Sequence, residues 1–256
     1  MKLSNQNPFV LFIFSVFLLT SCGEMKEEIV IDEDGSGFYE VSFDMIPMMR
    51  GMMQGMSQLT DEDMTEADSL EMIAAVEEQI WAQFPDEVDS TMDLQQGIPP
   101  EVRDSPEKMA VVEKASAFMR GGKSKGYLLT GVNYKFDDAE DLMKFYELSR
   151  EGNKGDPKMD MLMGNTDTEL VITANSFFRS QKVAQSDEED QPDIEVIKKF
   201  FKDGGITTVI TVPGKIKKLN VKTYEIVEQT KNSVTLKIDM LDLFTTEEPA
   251  EIDIKW

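Results

Sequence analysis

Apolar and polar positions alternate with a period of two along "EEIVIDEDGSGFYEVSFDM". Ile29 and Ile31 share one face, Tyr39, Val41, Phe43 and Met45 share the face of the returning segment, and Glu40, Ser42 and Asp44 point the other way. This pattern predicts a half-buried β-hairpin, with Gly35 and Gly37 supplying the positive φ of its turn. Past Met45 the period lengthens to that of a helix. In "DMIPMMRGMMQGMSQ" the methionines fall at i, i+3, i+4, i+7, i+8 and i+11, one continuous thioether stripe. Pro47 suits the first helical turn, while Gly51 and Gly55 weaken the helix by about 1 kcal/mol each relative to alanine. Met45 closes the strand, so the helical stripe is Met48, Met49, Met52, Met53 and Met56.

A second helix is predicted from Thr60, with Asp61, Glu62 and Asp63 at the positive end of its dipole, Ile73, Val76, Ile80, Trp81 and Phe84 along its apolar side, and Pro85 as its stop. Residues 86–104 have the composition of a loop. Ser105 and Pro106 open a third helix, with Met109, Val112, Ser116 and Met119 on one side and Gly121 at its end. "GYLLTGVNYKF" alternates again through Val132, Tyr134 and Phe136, a strand. Asp137 and Glu140 have capping-box spacing ahead of a helix whose Leu142, Phe145, Tyr146 and Leu148 face a sheet. After a polar loop over 151–167, "TELVITANSFFRS" is a strand, "QSDEEDQPD" an acidic linker and "DIEVIKKFFKD" a short helix ending at Gly204-Gly205. The remainder is β: "ITTVITVPG", "VKTYEIVEQ", "SVTLKIDML" and "AEIDIKW", with "QTKNSV" as a hairpin turn. Mixed hairpins and segregated helices define the class as α+β, a mostly antiparallel β-sheet packed by several helices.

The N-terminus alters this picture. "PFVLFIFSVFLL", residues 8–19, is uncharged and follows Lys2, too short for a span of about 20 residues but of the length of a signal-peptide core. It ends in "LTSC", which resembles the lipobox of bacterial lipoproteins, and Cys22 is the single cysteine. The expected organisation is a lipoprotein signal peptide over 1–21, a lipidated Cys22 with a short tether over 22–27, and one α+β domain over 28–256 carrying a helical, Met-rich and acidic insertion at about 46–120. Two or three acyl chains, each contributing about 0.8 kcal/mol per buried CH₂, would anchor the protein stably. Gly23 rather than aspartate follows Cys22, which by resemblance to Gram-negative lipoproteins does not signal inner-membrane retention. The expected address is the cell envelope, as an outer-membrane lipoprotein on its periplasmic face or the cell surface.

Charge and composition exclude several functions. A formal net charge of −23 opposes nucleic acids and anionic lipid surfaces, which reward clustered Lys and Arg. The chain has no histidine, which removes the commonest general base and transition-metal ligand. With Cys22 acylated, no thiol remains for catalysis or a disulfide.

Three segments together resemble a known family: the lipobox running into a strand–"DEDGSG"–strand hairpin, the helix after a "YKF"-type strand, and "ITVPGKIKKLN…NSVTLKIDM" near the C-terminus. The chain is similar to the LppM-like bacterial lipoproteins, which share the opening turn and the late "PG" pattern, with Leu236 here where tryptophan is common there. The resemblance implies an envelope-anchored α+β domain without established catalysis, with lipid or glycolipid binding in some members, and it supplies no catalytic residue.

Candidate chemistry is sparse. The stripe Met48, Met49, Met52, Met53 and Met56 has three readings: a Cu(I) site, because soft thioethers suit Cu(I); an adaptable groove for a hydrophobic ligand or envelope partner; or the core side of a helix. Met159, Met161 and Met163 form a second cluster. Asp32, Asp34, Ser36 and Gly37 match positions 1, 3, 5 and 6 of a calcium loop, but position 12 is Phe43, and a hairpin turn explains the same residues. "GKS" at 122–124 lacks the first glycine of a phosphate-binding loop. A carboxylate hydrolase needs two acids about 5–9.5 Å apart in a cleft, and no pair stands out among so many. The expectation is a membrane-anchored, non-catalytic binding or structural module with no cofactor, contacting a lipid or an envelope protein through the Met-bearing helix. The alternatives are a Met-rich Cu(I) binder and, less favoured, a carboxylate hydrolase.

Overall fold

The computed structural model describes residues 25–47, 49–50, 66–94, 100–152, 166–183, 204–246 and 248–256. The signal sequence and Cys22, the stripe residues Met48, Met52, Met53 and Met56, the Met159–Met163 cluster, the acidic linker and the helix expected at 193–203 lie outside the described residues.

The α+β class holds, built on two sheets rather than one. In chain order the elements are β1 (Met25–Ile31), β2 (Gly37–Asp44), α1 (Glu66–Gln83), β3 (Val88–Asp93), α2 (Pro100–Arg103), α3 (Pro106–Glu113), β4 (Ala115–Gly122), β5 (Tyr127–Phe136), α4 (Ala139–Gly152), β6 (Thr166–Thr173), β7 (Ser176–Val183), β8 (Gly205–Thr211), β9 (Lys218–Lys222), β10 (Glu225–Gln229), β11 (Ser233–Asp239), α5 (Met240–Thr245) and β12 (Ala250–Lys255). The larger sheet has the order β10-β11-β8-β1-β2-β5-β4-β3, the smaller β6-β7-β12-β9. Neighbours are antiparallel except β1 and β8, which run parallel at the centre of the larger sheet. One core joins the inner faces: Ile29, Tyr134 and Ile210 from the larger sheet, Phe177, Ile252 and Ile254 from the smaller, and Leu142 and Phe145 from α4.

The opening hairpin follows the alternation, with Ile29 opposite Tyr39. Gly35 has φ +88° as the turn demands. Gly37 serves a different purpose from the one expected, since its φ is not positive and a Cβ there would lie 2.0 Å from the Val30 carbonyl oxygen. The strand begins at Met25, so residues 25–27 belong to the sheet rather than to a tether.

Met45 is helical rather than the last residue of β2. The Asp44 carboxylate explains the switch: its Oδ1 accepts the Ile46 N–H (3.1 Å) as an N-cap does and also the Leu128 N–H (3.1 Å), tying the new helix to β5. Here Ile46 and Leu128 are the buried centre of a small second cluster with Met45, Met49, Val76, Trp81, Phe84, Val88 and Met119 packed around them.

Several elements depart from the sequence-based expectation. The loop expected over 86–104 contains β3 and α2, and the helix expected to reach Gly121 stops at Glu113, giving way to β4. "AFMRGG" has no dominant local preference, and pairing to β3 on one side and β5 on the other decides it as strand. "TELVITANSFFRS" folds back on itself as β6 and β7, with Thr173 opposite Ser176. "VKTYEIVEQ" splits at Thr223, whose φ of +71° is a true outlier for a β-branched residue, so that β9 joins the smaller sheet and β10 the larger. "ML" after β11 opens α5 instead of extending the strand. The expected cap of α4 lies one residue later: Asp138 Oδ1 accepts the Asp141 N–H (2.9 Å), and Asp141 Oδ2 accepts the Asp137 N–H (3.0 Å).

Candidate functional site

Register sets side chains in rows across the larger sheet. Thr208, Glu27, Val41 and Val132 are direct partners on β8, β1, β2 and β5, so they stand side by side on the inner face. Met25 precedes Glu27 by two residues on the same side of β1. Opposite them runs α4. Its Leu142 and Phe145, one turn apart, are buried in the core, and Phe145 stacks on Tyr134 at 4.4 Å between ring centroids. Met143, Tyr146 and Arg150, at i, i+3 and i+7, form the neighbouring helical face. Between that face, the row on the larger sheet and the ends of β6 and β7 lies a cavity of about 450 Å³. The inner lining includes Met25, Val41, Val132, Met143, Tyr39 and Tyr146, and charged side chains such as Arg150, Asp167, Glu169 and Lys182 also border it. Arg150 pairs with Asp167 at 3.6 Å, tying the end of α4 to the start of β6.

Glu27 also lines this cavity, and it carries the most unusual interaction in the described residues. Arg179, 1% exposed, reaches from the smaller sheet to place Nη1 2.6 Å from Glu27 Oε2. The Thr208 hydroxyl donates to the same oxygen at 2.9 Å, Arg179 Nη2 donates to Thr208 Oγ1 and Tyr224 Oη (both 3.4 Å), and the Tyr224 hydroxyl donates to Gln181 Oε1 at 3.1 Å. Burial opposes the guanidinium charge, but the attraction of Glu27 outweighs it and holds Arg179 above its ordinary value. The phenols around the pair are driven the other way: burial first, then Glu27, raises Tyr39 and Tyr146. Burial also raises Tyr224, against the pull of Arg179. These tyrosines are therefore neutral hydrogen-bond donors at any ordinary pH.

The sequence-derived candidates fare unevenly. Asp34 Oδ1 accepts the Ser36 N–H (3.1 Å) and hydroxyl (2.6 Å), and these bonds lower its pKa, so two calcium-loop candidates satisfy each other within the turn. Asp32 closes the same turn through its backbone, accepting the Gly35 N–H at 3.1 Å. Among the described residues no group of three or more His, Cys, Asp or Glu side chains is gathered as a metal site. Met49, the described member of the stripe, is half-buried against the second cluster and not at the cavity. "GKS" lies in the β4–β5 turn, where the Ser124 hydroxyl donates to the Asp86 carbonyl and Lys125 pairs with Glu87. One acidic pair, Asp137 and Asp141, converges on Lys114 at 2.7 and 2.8 Å rather than on a cleft. Burial opposes ionisation of Asp141, but Lys114, the Asp137 N–H and the Tyr134 hydroxyl together hold its pKa below the usual value.

Glu27 and Arg179 escaped the sequence reading, though a signal existed. Glu27 has the parity of Ile29 and Ile31, and Arg179 that of Phe177, so period two alone puts both charges on buried faces.

Among the described residues no helix is long and apolar enough to cross a membrane. No protein family matches this chain, and no curated protein does. Among solved structures, the NMR structure of the folded domain of Mycobacterium tuberculosis LppM aligns over 93% of this chain and 91% of its own, at 11% identity and a TM-score of 0.37. That likeness is too loose to bear on function.

Proposed function

We propose that the protein is a membrane-anchored envelope lipoprotein whose domain is a non-catalytic binding module, holding a hydrophobic ligand in the cavity between α4 and the two sheets. The observation that carries this reading is the cavity itself. Its volume falls in the range of about 300–1,000 Å³ typical of small-molecule sites, and methionine, valine and aromatic side chains make up much of its wall. The cavity replaces the Met-bearing helix as the proposed contact.

Its position supports a membrane source for the ligand. Met25 borders the cavity and lies three residues after Cys22. Three residues reach at most about 11 Å when fully extended. With Cys22 acylated, the cavity would sit beside the bilayer that holds the anchor, within reach of its lipids.

The test is saturable binding of N-phenylnaphthylamine, whose fluorescence rises in apolar surroundings. One site per chain is expected, lost in Val132→Trp, which fills the cavity, while circular dichroism stays native. Absence of saturable binding, or a Val132→Trp protein that binds as well as the native one, overturns the reading. The anchor has a separate test: Cys22→Ser should leave the detergent phase on phase partitioning, and unchanged partitioning would refute lipidation.

A further inference from the structure

Among the described residues four strands end the two sheets, and their charges are uneven. β3 (Asp89, Asp93), β6 (Asp167, Glu169) and β10 (Glu225, Glu228) each carry two acids and no base, whereas β9 carries Lys218 and Lys222 and no acid. An open edge offers backbone N–H and C=O groups to any other strand, and charge of one sign on it repels its own kind. The acidic edges therefore reject one another, and β9 is the edge that suits them.

Position singles out β10. Two residues separate the end of β9 from the start of β10, and beyond their other ends the Ile216 N–H donates to the Lys231 carbonyl at 2.8 Å. The two strands thus run antiparallel along one flank, each closing one sheet. Glu225 and Glu228 lie opposite Lys237 and Thr235 of β11, on the outer face of the larger sheet, with a bulge between Ile226 and Glu228. Lys218 and Lys222 lie opposite Lys255 and Glu251 of β12, on the outer face of the smaller. Both lysines meet acids of their own chain, Asp253 at 3.2 Å and Glu248 at 3.0 Å, yet stay 50% and 42% exposed. Every residue of β10 is exposed. Ile226 is 46% exposed although its partner Leu236 is fully buried, so the inner row of the larger sheet ends on an uncovered apolar side chain.

We propose that this flank joins two copies of the chain about a twofold axis roughly parallel to the strands, β10 of each copy adding to β9 of the other. Such an axis turns one copy over, so the larger sheet of each continues into the smaller sheet of the other, outer face beside outer face. It preserves position along the strands. Glu225 then meets Lys222 of the second copy, Ile226 meets its Val221, and Glu228 falls between its Lys222 and Lys218. An axis perpendicular to the sheets would instead set β10 on β10 and β9 on β9, like charge against like. Pairing β9 with β3 or β6 would use one edge of each copy and leave an open-ended array. The twofold axis along the strands also sends Met25 of both copies to the same end, as two anchors in one membrane require. The cavity has no lining residue on β9, β10 or β11 and stays free, so the contact does not depend on what the cavity binds. The net charge of −23 on each copy opposes approach, but at physiological ionic strength that repulsion is screened beyond about 8 Å.

Cross-linking tests it in membranes holding the full-length protein. Co-expressed Lys222→Cys and Glu225→Cys variants are expected to give a disulfide-linked dimer on oxidation, lost when either variant is expressed alone. Charge reversal gives a second readout by light scattering in detergent. Glu225→Lys/Glu228→Lys and Lys218→Glu/Lys222→Glu should each be monomeric, with native circular dichroism because the side chains are exposed, and should form a mixed dimer when co-expressed. A native chain that is monomeric, a cross-link no stronger than from either cysteine variant alone, or a dimer from one reversed variant alone overturns the inference.

Discussion

The two hydrophobic clusters of this protein differ in what they bury. The larger, between the sheets, contains an Arg–Glu ion pair and four of the chain's five tyrosines, Tyr39, Tyr134, Tyr146 and Tyr224, beside or within it. The smaller, where β2 turns into helix, has only Ile46 and Leu128 fully inside, ringed by half-buried methionines and aromatics. Methionine there fills an irregular edge, as an unbranched and adaptable side chain does. The buried polar groups lie in the better-packed cluster, because orienting a charge or a phenol away from water needs rigid surroundings on several sides. Two isolated charges on apolar faces can thus mark a buried polar centre as a dense run of one residue type marks an irregular apolar edge.

This contrast can be broken experimentally, first at the ion pair. Arg179→Met strands the Glu27 carboxylate in the core and should lower stability by about 3–5 kcal/mol in urea unfolding, whereas the double variant Glu27→Leu/Arg179→Met should recover most of that loss. If the double variant is as unstable as the single, the pair is not an isolated charge–charge unit. In the smaller cluster, Leu128→Ala should cost about 2–4 kcal/mol through the void it leaves, with probe binding at the cavity beside α4 unaffected. Coupled loss of binding would show that the clusters are one unit.

Alkali separates the clusters by chemistry. The four raised phenols hold their protons in the folded state, and unfolded tyrosine titrates near pH 10. Their contribution is complete below pH 10 and is lost as pH rises above it, by up to about 1.4 kcal/mol per pH unit for each phenol. Unfolding free energies measured from pH 9 to 11.5 should show this slope, flattened in Tyr224→Phe; a native-like slope in that variant would contradict its burial. At the small end, Val227→Lys on the edge strand β10, where Val227 is 56% exposed, should shift stability by no more than about 0.5 kcal/mol.

Legibility in the sequence followed the range of the interaction. The opening hairpin and α4 were readable because alternation, glycine and capping residues act within a few positions, and Leu142 and Phe145 face the core as their spacing requires. β3, "VDSTMD", has almost no apolar signature and is a strand because β4 lies beside it. The turn in "VITANSFF" carries only Asn175 as a marker, and the break at Thr223 carries none. Of the candidate site only an unread signal lay in the sequence: parity would have turned Glu27 and Arg179 inward, but their meeting across 152 residues of chain follows from how two sheets stack.

That separation also governs how the molecule comes into being. β1, the first described strand, is flanked by β2 close by and by β8 far along the chain, and the bond from Thr208 to Glu27 spans 181 positions. Contacts of such range are slow to form, since a long loop must close before they reward it. A chain made or threaded from its N-terminus can pair β1, β2, β5, β4 and β3 as they emerge, but the other edge of β1 stays unpaired until β8 arrives. Completion of the larger sheet is a late event, and until it happens β1 presents an open edge that any other strand could occupy.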